Sequence, residues 1–298
     1  MKARISLAKY CLLTALLLLL SACSGEHGFL SPAGPIAQAQ RNHFLSIIAW
    51  MMVVIVPLFV AVPIVLWKYR LGGSSSTYRP NWASSWIFEV LIWGIPLIVV
   101  SALSWNLWMQ SHALDPYRPI KSDNPTLNVQ VVSLDWKWLF IYPDQRVAAV
   151  NELVLPVDRP VRFRLTSETV MQSFMIPRLG SQIYTMPGMV TELNLLADRT
   201  GTFRGQNTQY NGEGFPKQKF DAKVMDAQDF DDWIAQTRRS SPPLDMSAYE
   251  QLAKRSVLPS PLLFGAVPDR LFERVVSSTK GETELTLGSA APTSTQGE

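Results

Sequence analysis

Between Phe44 and Trp67 the chain reads FLSIIAWMMVVIVPLFVAVPIVLW, without one charged side chain. About 24 such residues, rising 1.5 Å each, cross a hydrocarbon core of roughly 30 Å as a helix. Every backbone amide in a bilayer must be bonded within the protein, so a run of this length is predicted to be a membrane-spanning helix. Pro57 and Pro63 should bend it, which is tolerated where neighbouring groups satisfy the freed carbonyls.

A second apolar run extends from Trp86 to Met109, with Trp86, Trp105 and Trp108 near its ends as interfacial anchors. Between the two runs, residues 68–85 hold Lys68, Arg70 and Arg79, a Gly-Gly-Ser-Ser-Ser turn and no acid. That bias places the loop in the cytoplasm and both chain ends on the opposite side. Glu89 interrupts the second run about one helical turn from its start, where a carboxylate costs a few kcal/mol on insertion scales. Position alone leaves two readings open: a carboxylate hydrated at the interface, or one that faces protein or water on a proton or ion path.

Upstream, Lys2, Arg4 and Lys9 precede an apolar stretch from Cys11 to Leu20 and then Leu20-Ser21-Ala22-Cys23. The order of basic, apolar and small residues reads as a signal peptide over residues 1–22. Its end resembles a bacterial lipobox, which makes Cys23 the expected lipidation site; acyl chains contribute about 0.8 kcal/mol per buried CH₂. The other reading is an uncleaved first helix with an incidental Cys23. Residues 23–43 form a polar, Gly/Pro-containing connector.

Beyond residue 125 the period changes to two. Leu127, Val129 and Val131 alternate with polar neighbours, and Val161, Phe163 and Leu165 share a face opposite Arg162, Arg164 and Thr166. Further strands are expected at Asp135–Tyr142, Glu152–Pro156, Val170–Ile176, Met189–Leu196, Gly201–Gln206 and Lys219–Met225. Short strands separated by Pro/Gly/Asp turns make residues 125–226 an all-β sandwich or barrel. Asp226–Arg239 reads as a helix, Ser247 and Glu250 have capping-box spacing before a second, and Pro268 opens a third. A helical extension over residues 227–278 thus precedes a tail, 279–298, of disordered composition.

The supply of metal ligands is the sharpest chemical limit. The two cysteines are Cys11 and Cys23 and the three histidines His27, His43 and His112, so residues 113–298 contain no thiolate or imidazole and no disulfide. Net charge is only +3, and no Lys/Arg-rich run marks a nucleic-acid footprint.

Two stretches of this exported half, Val170–Gly180 and Gly201–Phe220, nevertheless have the loop skeleton of a copper-binding sandwich. With Glu89, Ile92–Pro96 (IWGIP), Ser133–Pro143 (SLDWKWLFIYP), Val170–Tyr184 and Pro187–Met189, in this order, the chain resembles subunit II of the haem-copper respiratory oxidases, above all the quinol-oxidising, cytochrome bo-type branch. The resemblance covers nearly the whole sequence. It implies a two-helix hairpin followed by a cupredoxin-like Greek-key sandwich with short C-terminal helices.

In cytochrome c-oxidising relatives that sandwich binds two copper ions through a His before Ser-Phe/Trp and through Cys-x-Glu-x-Cys-x-x-x-His-x-x-Met. Here the first His falls on Gln172, the cysteines on Asn207 and Asn211, the Glu on Gln209, the second His on Phe215 and the Met on Gln218. Thiolate is what selects copper, so no metal is expected in this domain. Trp136 and Trp138 lie in the aromatic stretch where electrons enter those relatives; with no acceptor beneath, packing is the better reading and docking against the core subunit a second one.

The resemblance further implies an accessory subunit of a bacterial inner-membrane, proton-translocating ubiquinol oxidase, with no catalytic residue of its own and no activity alone. Haems and copper would reside in subunit I, ubiquinol would be the substrate of the assembly, and subunit I, other oxidase subunits and membrane lipid would be the partners. Glu89 matches an acid at the mouth of a proton-uptake path. Two other functions remain at this point: a cytochrome c oxidase subunit II with an atypical metal site, and a non-respiratory membrane lipoprotein with a binding sandwich.

Overall fold

A computed structural model describes residues 28–70 and 84–279. The signal segment, Cys23, residues 71–83 and the tail from residue 280 lie outside them. The chain divides into a helical unit, Gln38–Arg118, and a sandwich unit made of the residues on either side.

Helix α1 spans Pro35–Lys68 and α2 spans Trp86–Ala113. The connector expected up to residue 43 is therefore already helical from residue 35. Proline at a helix start loses nothing, because its missing N–H has no intrahelical partner there and its φ is preset. Pro57 and Pro63 lie inside α1 and Pro96 inside α2. Apolar side chains cover all sides of both helices; Phe59 and Trp93 are 73% and 75% exposed in the chain alone. Such surface needs lipid or another protein around it.

The sandwich unit has strands β1 (Leu127–Leu134), β2 (Lys137–Tyr142), β3 (Val147–Val150), β4 (Glu152–Pro156), β5 (Val161–Ser167), β6 (Gln172–Met175), β7 (Ile183–Thr185), β8 (Thr191–Leu195), β9 (Gly201–Asn207), β10 (Lys219–Met225) and β11 (Leu262–Phe264). The first sheet has the order β11-β3-β2-β1-β5-β8 and the second β4-β10-β9-β6-β7. The pairs β1–β5 and β4–β10 are parallel and the other ladders antiparallel, as Greek-key crossovers require. Between the sheets Phe174 stacks on Phe220 at 5.2 Å and meets the Trp138 edge at 5.3 Å.

Helix α3 (Ala227–Ser240) adds Phe230 and Ile234 to this core. A second core lies on the other face of the first sheet. There Val132, Leu134, Leu139 and Ile141 meet Tyr249 and Leu252 of α4 (Met246–Ala253) and Leu271, Phe272 and Val275 of α5 (residues 271–279). Strand β2 is buried at every position because both its faces are covered.

Several local expectations change. The strand expected from Asp135 begins at Lys137, since Asp135 and Trp136 form a two-residue hairpin turn with Trp136 at φ 71°. The strands expected at Val170–Ile176 and Met189–Leu196 shorten to β6 and β8. Helix α4 starts two residues earlier than the Ser247 capping box required: Asp245 is the cap, accepting from the Ala248 N–H at 2.7 Å. Thr279, placed in the tail by composition, is helical and buried, and its hydroxyl oxygen accepts from the Gly188 N–H at 2.8 Å.

The segment ahead of α1 is also more than a spacer. The Ala33 N–H donates to the Arg178 carbonyl at 2.7 Å, the Asp198 N–H to the Ala33 carbonyl at 3.0 Å, and Arg178 Nε to the Ser31 carbonyl at 2.8 Å. A side chain on Gly34 would meet the Leu196 carbonyl oxygen at 2.1 Å.

Candidate functional site

Strand β6 opens on Gln172, β9 closes on Asn207, and Gln218 precedes β10, so the ladders of the second sheet bring three of the sequence-predicted positions to one end of the sandwich. Gln172, Asn207 and Gln218 are 0%, 4% and 0% exposed. Buried amides must find partners. These find one another.

Gln218 is the hub. Its Oε1 accepts from Asn207 Nδ2 at 3.0 Å and from Asn211 Nδ2 at 2.8 Å. Its Nε2 donates to Gln172 Oε1 at 2.5 Å and to the Leu134 carbonyl at 3.2 Å, and Gln172 Nε2 reaches the same carbonyl at 3.4 Å. Asn207 Oδ1 accepts the backbone N–H groups of Ser173 and Gln209 at 3.0 and 2.9 Å. Four of the six expected positions therefore form one network. Gln209 contributes only its backbone, and Phe215, on a 3₁₀ turn (Phe215–Lys217), packs its ring edge-on to Tyr210 at 5.7 Å.

The two tryptophans separate. Trp138 is fully buried between the sheets. Trp136 is half-buried and lies against the loop of the cluster: its Nε1 donates to the Asn211 carbonyl at 3.2 Å, and a side chain on Gly214 would come within 2.1 Å of the indole. Only a residue without Cβ allows this approach.

Flanking Trp136, Asp135 and Lys137 point into a charged cluster that the sequence reading passed over. Asp135 accepts from Arg255 Nε and from the Thr169 hydroxyl, both at 2.8 Å. Lys137 Nζ donates to the Lys254 carbonyl, the Ser256 carbonyl and Ser256 Oγ at 2.6, 3.2 and 2.7 Å, which uses its three protons. The Tyr249 hydroxyl donates to Glu168 Oε2 at 2.6 Å. The available signal was a lysine in an otherwise apolar strand, which must be paired to be buried.

Burial lowers the Lys137 pKa below its ordinary value, an effect that the Asp135 charge partly opposes. Burial, reinforced by the neighbouring Glu168 charge and its hydrogen bond, raises that of Tyr249. These bonds hold residues 249–256 over the β1–β2 turn.

As a copper site the cluster does not fit. Amide nitrogens that donate protons offer no lone pair, and the amide oxygens of Gln172, Asn207 and Gln218 already accept hydrogen bonds; Asn211 Oδ1 alone of the four lacks a partner. Among the described residues no group of three or more His, Cys, Asp or Glu could hold a metal ion.

Glu89 belongs to the other unit. It occupies the first turn of α2, its N–H bonded to the Ser85 carbonyl at 3.0 Å, with its side chain exposed. A carboxylate there also interacts favourably with the helix dipole.

A family model for the periplasmic domain of cytochrome c oxidase subunit II matches residues 141–218, a span that contains the whole amide cluster. The chain is 42% identical to cytochrome bo(3) ubiquinol oxidase subunit 2 of Pseudomonas putida over 89% of this chain and 84% of that one. It is 44% identical to the protein of the same description from Buchnera aphidicola subsp. Baizongia pistaciae, over 84% and 88% respectively. The chain belongs to the ubiquinol oxidase subunit 2 family. The crystal structure of the periplasmic domain of subunit II of cytochrome oxidase from Bradyrhizobium japonicum aligns with a TM-score of 0.38 at 24% identity, covering 40% of this chain and 96% of that one. In this member of the subunit 2 family, the positions that the copper pattern assigns to Cys, His and Met are occupied by a bonded amide hub and one outlying phenylalanine.

Proposed function

We propose that the chain is the second, non-haem subunit of a membrane assembly that oxidises ubiquinol, reduces oxygen to water and translocates protons. The observation that carries this reading is the amide cluster: a sandwich of the oxidase subunit II type keeps its ligand loops but closes them with Gln172, Asn207, Asn211 and Gln218 bonded to one another. A domain so built accepts no electron from a soluble cytochrome, and electrons enter the assembly from a membrane quinol elsewhere. Haems and copper belong to subunit I. This chain binds none, supplies no redox step and has no oxidase activity alone.

Helices α1 and α2 cross the inner membrane, with the sandwich on the periplasmic side and acyl chains on Cys23 as a further anchor. Glu89, near the cytoplasmic end of α2, receives protons bound for subunit I. Gentle detergent purification with subunit identification, haem and metal analysis, and oxygen consumption with quinol or reduced cytochrome c tests the reading. Co-isolation with a haem-bearing subunit and oxygen uptake driven by quinol alone are expected. A lone lipoprotein, or oxygen uptake driven by cytochrome c, overturns it.

A further inference from the structure

Arg204, Lys217 and Lys219 line one surface trough of about 550 Å³ together with Pro216, Val257 and Leu258, and no acid lines it. In the β9–β10 ladder Gln206 faces Lys219 and Arg204 faces Asp221, which makes Arg204 and Lys219 diagonal neighbours on the outer face of the second sheet. Lys217 lies two residues earlier, on the 3₁₀ turn that leads from the cluster loop. None of the ion pairs found among the described residues engages these three cations, although Asp221 lies across the ladder and Glu213 four residues before Lys217. Three cations lining one trough with no acid among its lining residues make it a positively charged strip.

The apolar side is built as firmly as the charged one. Val257 is 38% exposed, one residue beyond the segment that Lys137 and the Asp135–Arg255 pair hold to the sandwich. An inorganic phosphate or a lipid headgroup would answer the cations and leave this apolar side wet. An extended peptide answers both, with carboxylates spaced along the strand direction and an apolar side chain over Val257.

We infer that this trough is a docking groove for an extended acidic segment of another subunit of the same assembly. The inference rests on the proposed function, and its test separates the two. A photo-crosslinking amino acid is placed at Val257 in the full chain, the intact assembly is irradiated in its own membranes, and the crosslinked peptides are identified after purification. The expected product joins residue 257 to an Asp/Glu-rich stretch of a co-purifying oxidase subunit. In parallel, a Lys217→Glu/Lys219→Glu variant should release the subunit from the detergent-solubilised assembly at an NaCl concentration about threefold lower than the unaltered chain, because exposed charge pairs are screened by salt.

A Lys217→Gln/Lys219→Gln variant carrying the crosslinker serves if the charge-reversed chain fails to accumulate, and loss of most of the crosslink is the expected result. Crosslinks to lipid alone, crosslinks to a second copy of this chain, or no protein crosslink while the haem-bearing subunit still co-purifies, all overturn the docking groove and leave the proposed function standing. Absence of any haem-bearing subunit overturns the proposed function first.

Discussion

Gln218 Nε2 donates to Gln172 Oε1 at 2.5 Å, so the residue where the copper pattern places a methionine is bonded to the residue where it places the first histidine. Both side chains are fully buried, and Gln218 also holds Asn207 and Asn211. Gln218→Leu, close in shape, leaves Gln172 Oε1 and Asn207 Nδ2 buried, and Asn211 Nδ2 half-buried, without their partner. At about 1–3 kcal/mol for each unsatisfied group, and with incomplete additivity, a loss of roughly 3–5 kcal/mol is expected. Asn211→Ala, at the half-exposed end of the network, should cost under about 1.5 kcal/mol. Urea unfolding followed by tryptophan fluorescence ranks the two; equal midpoints would remove Gln218 from its place as hub.

Metal treatment should leave the sandwich unchanged. After incubation with Cu(II) and gel filtration the purified chain is expected to retain less than stoichiometric copper, and a chelator should not move the unfolding midpoint. Amide groups already bonded to each other cannot stand in for thiolates. A midpoint that falls with chelator would locate a stabilising metal in the fold.

The contact of Trp136 with Gly214 makes two substitutions interdependent. Gly214→Ala forces a methyl group into the indole and should cost about 1–3 kcal/mol. In a Trp136→Ala background the same change should cost less than about 0.5 kcal/mol, because the ring is gone. A double-mutant cycle measures the coupling, and strict additivity would contradict the packing described.

Alkaline stability follows from two buried phenols. Burial raises the folded-state pKa of Tyr142 and Tyr249 above that of the unfolded chain. Above about pH 10 the unfolded chain releases protons that the fold retains, so stability falls by about 1.4 kcal/mol per pH unit for each tyrosine. Lys137 acts with the opposite sign: its lowered folded pKa makes stability rise with pH up to about 10.5 and contribute no further slope beyond. Above that point the tyrosines alone set the slope. Tyr249→Phe should halve it, as read from unfolding midpoints above about pH 10.5; an unchanged slope would count against burial of this phenol.

For Glu89 the expected consequence is kinetic. In the assembly, Glu89→Gln should lower quinol-driven oxygen uptake by roughly tenfold or more, with haem content and subunit composition unchanged, and Glu89→Asp should restore part of it. Turnover equal to that of the unaltered assembly at every pH would take Glu89 off the proton path.

The difference between what was legible and what was not follows the range of the forces involved. The spans were legible because hydrocarbon imposes one condition on every residue of a run. β1 and β5 were legible over Leu127–Val131 and Val161–Thr166, because one face of each is polar there. By contrast β3 is buried throughout and β7 is three residues long, so neither carried a period of two. The β1–β2 turn was misread as strand because nothing local marks Trp136 for a positive φ; its indole is held by Gly214, far along the chain. Asp245 is hard to tell from the sequence as the cap because Ser247 and Glu250 offer equally good local chemistry two residues later.

For the candidate site, the sequence by itself determined the inventory. With no Cys or His beyond residue 112, no arrangement of the sandwich could assemble a thiolate-imidazole centre. Only the tertiary structure decided what fills that place: the ladders of the second sheet bring Gln172, Asn207 and Gln218 within hydrogen-bond distance in a site where unpaired amides are costly. It likewise decided that Trp138 is core while Trp136 covers the cluster loop, and that Asp135 and Lys137 fasten the C-terminal segment. Which donors exist is a property of composition, whereas which of them meet depends on strand register and on the desolvation cost of leaving any of them alone.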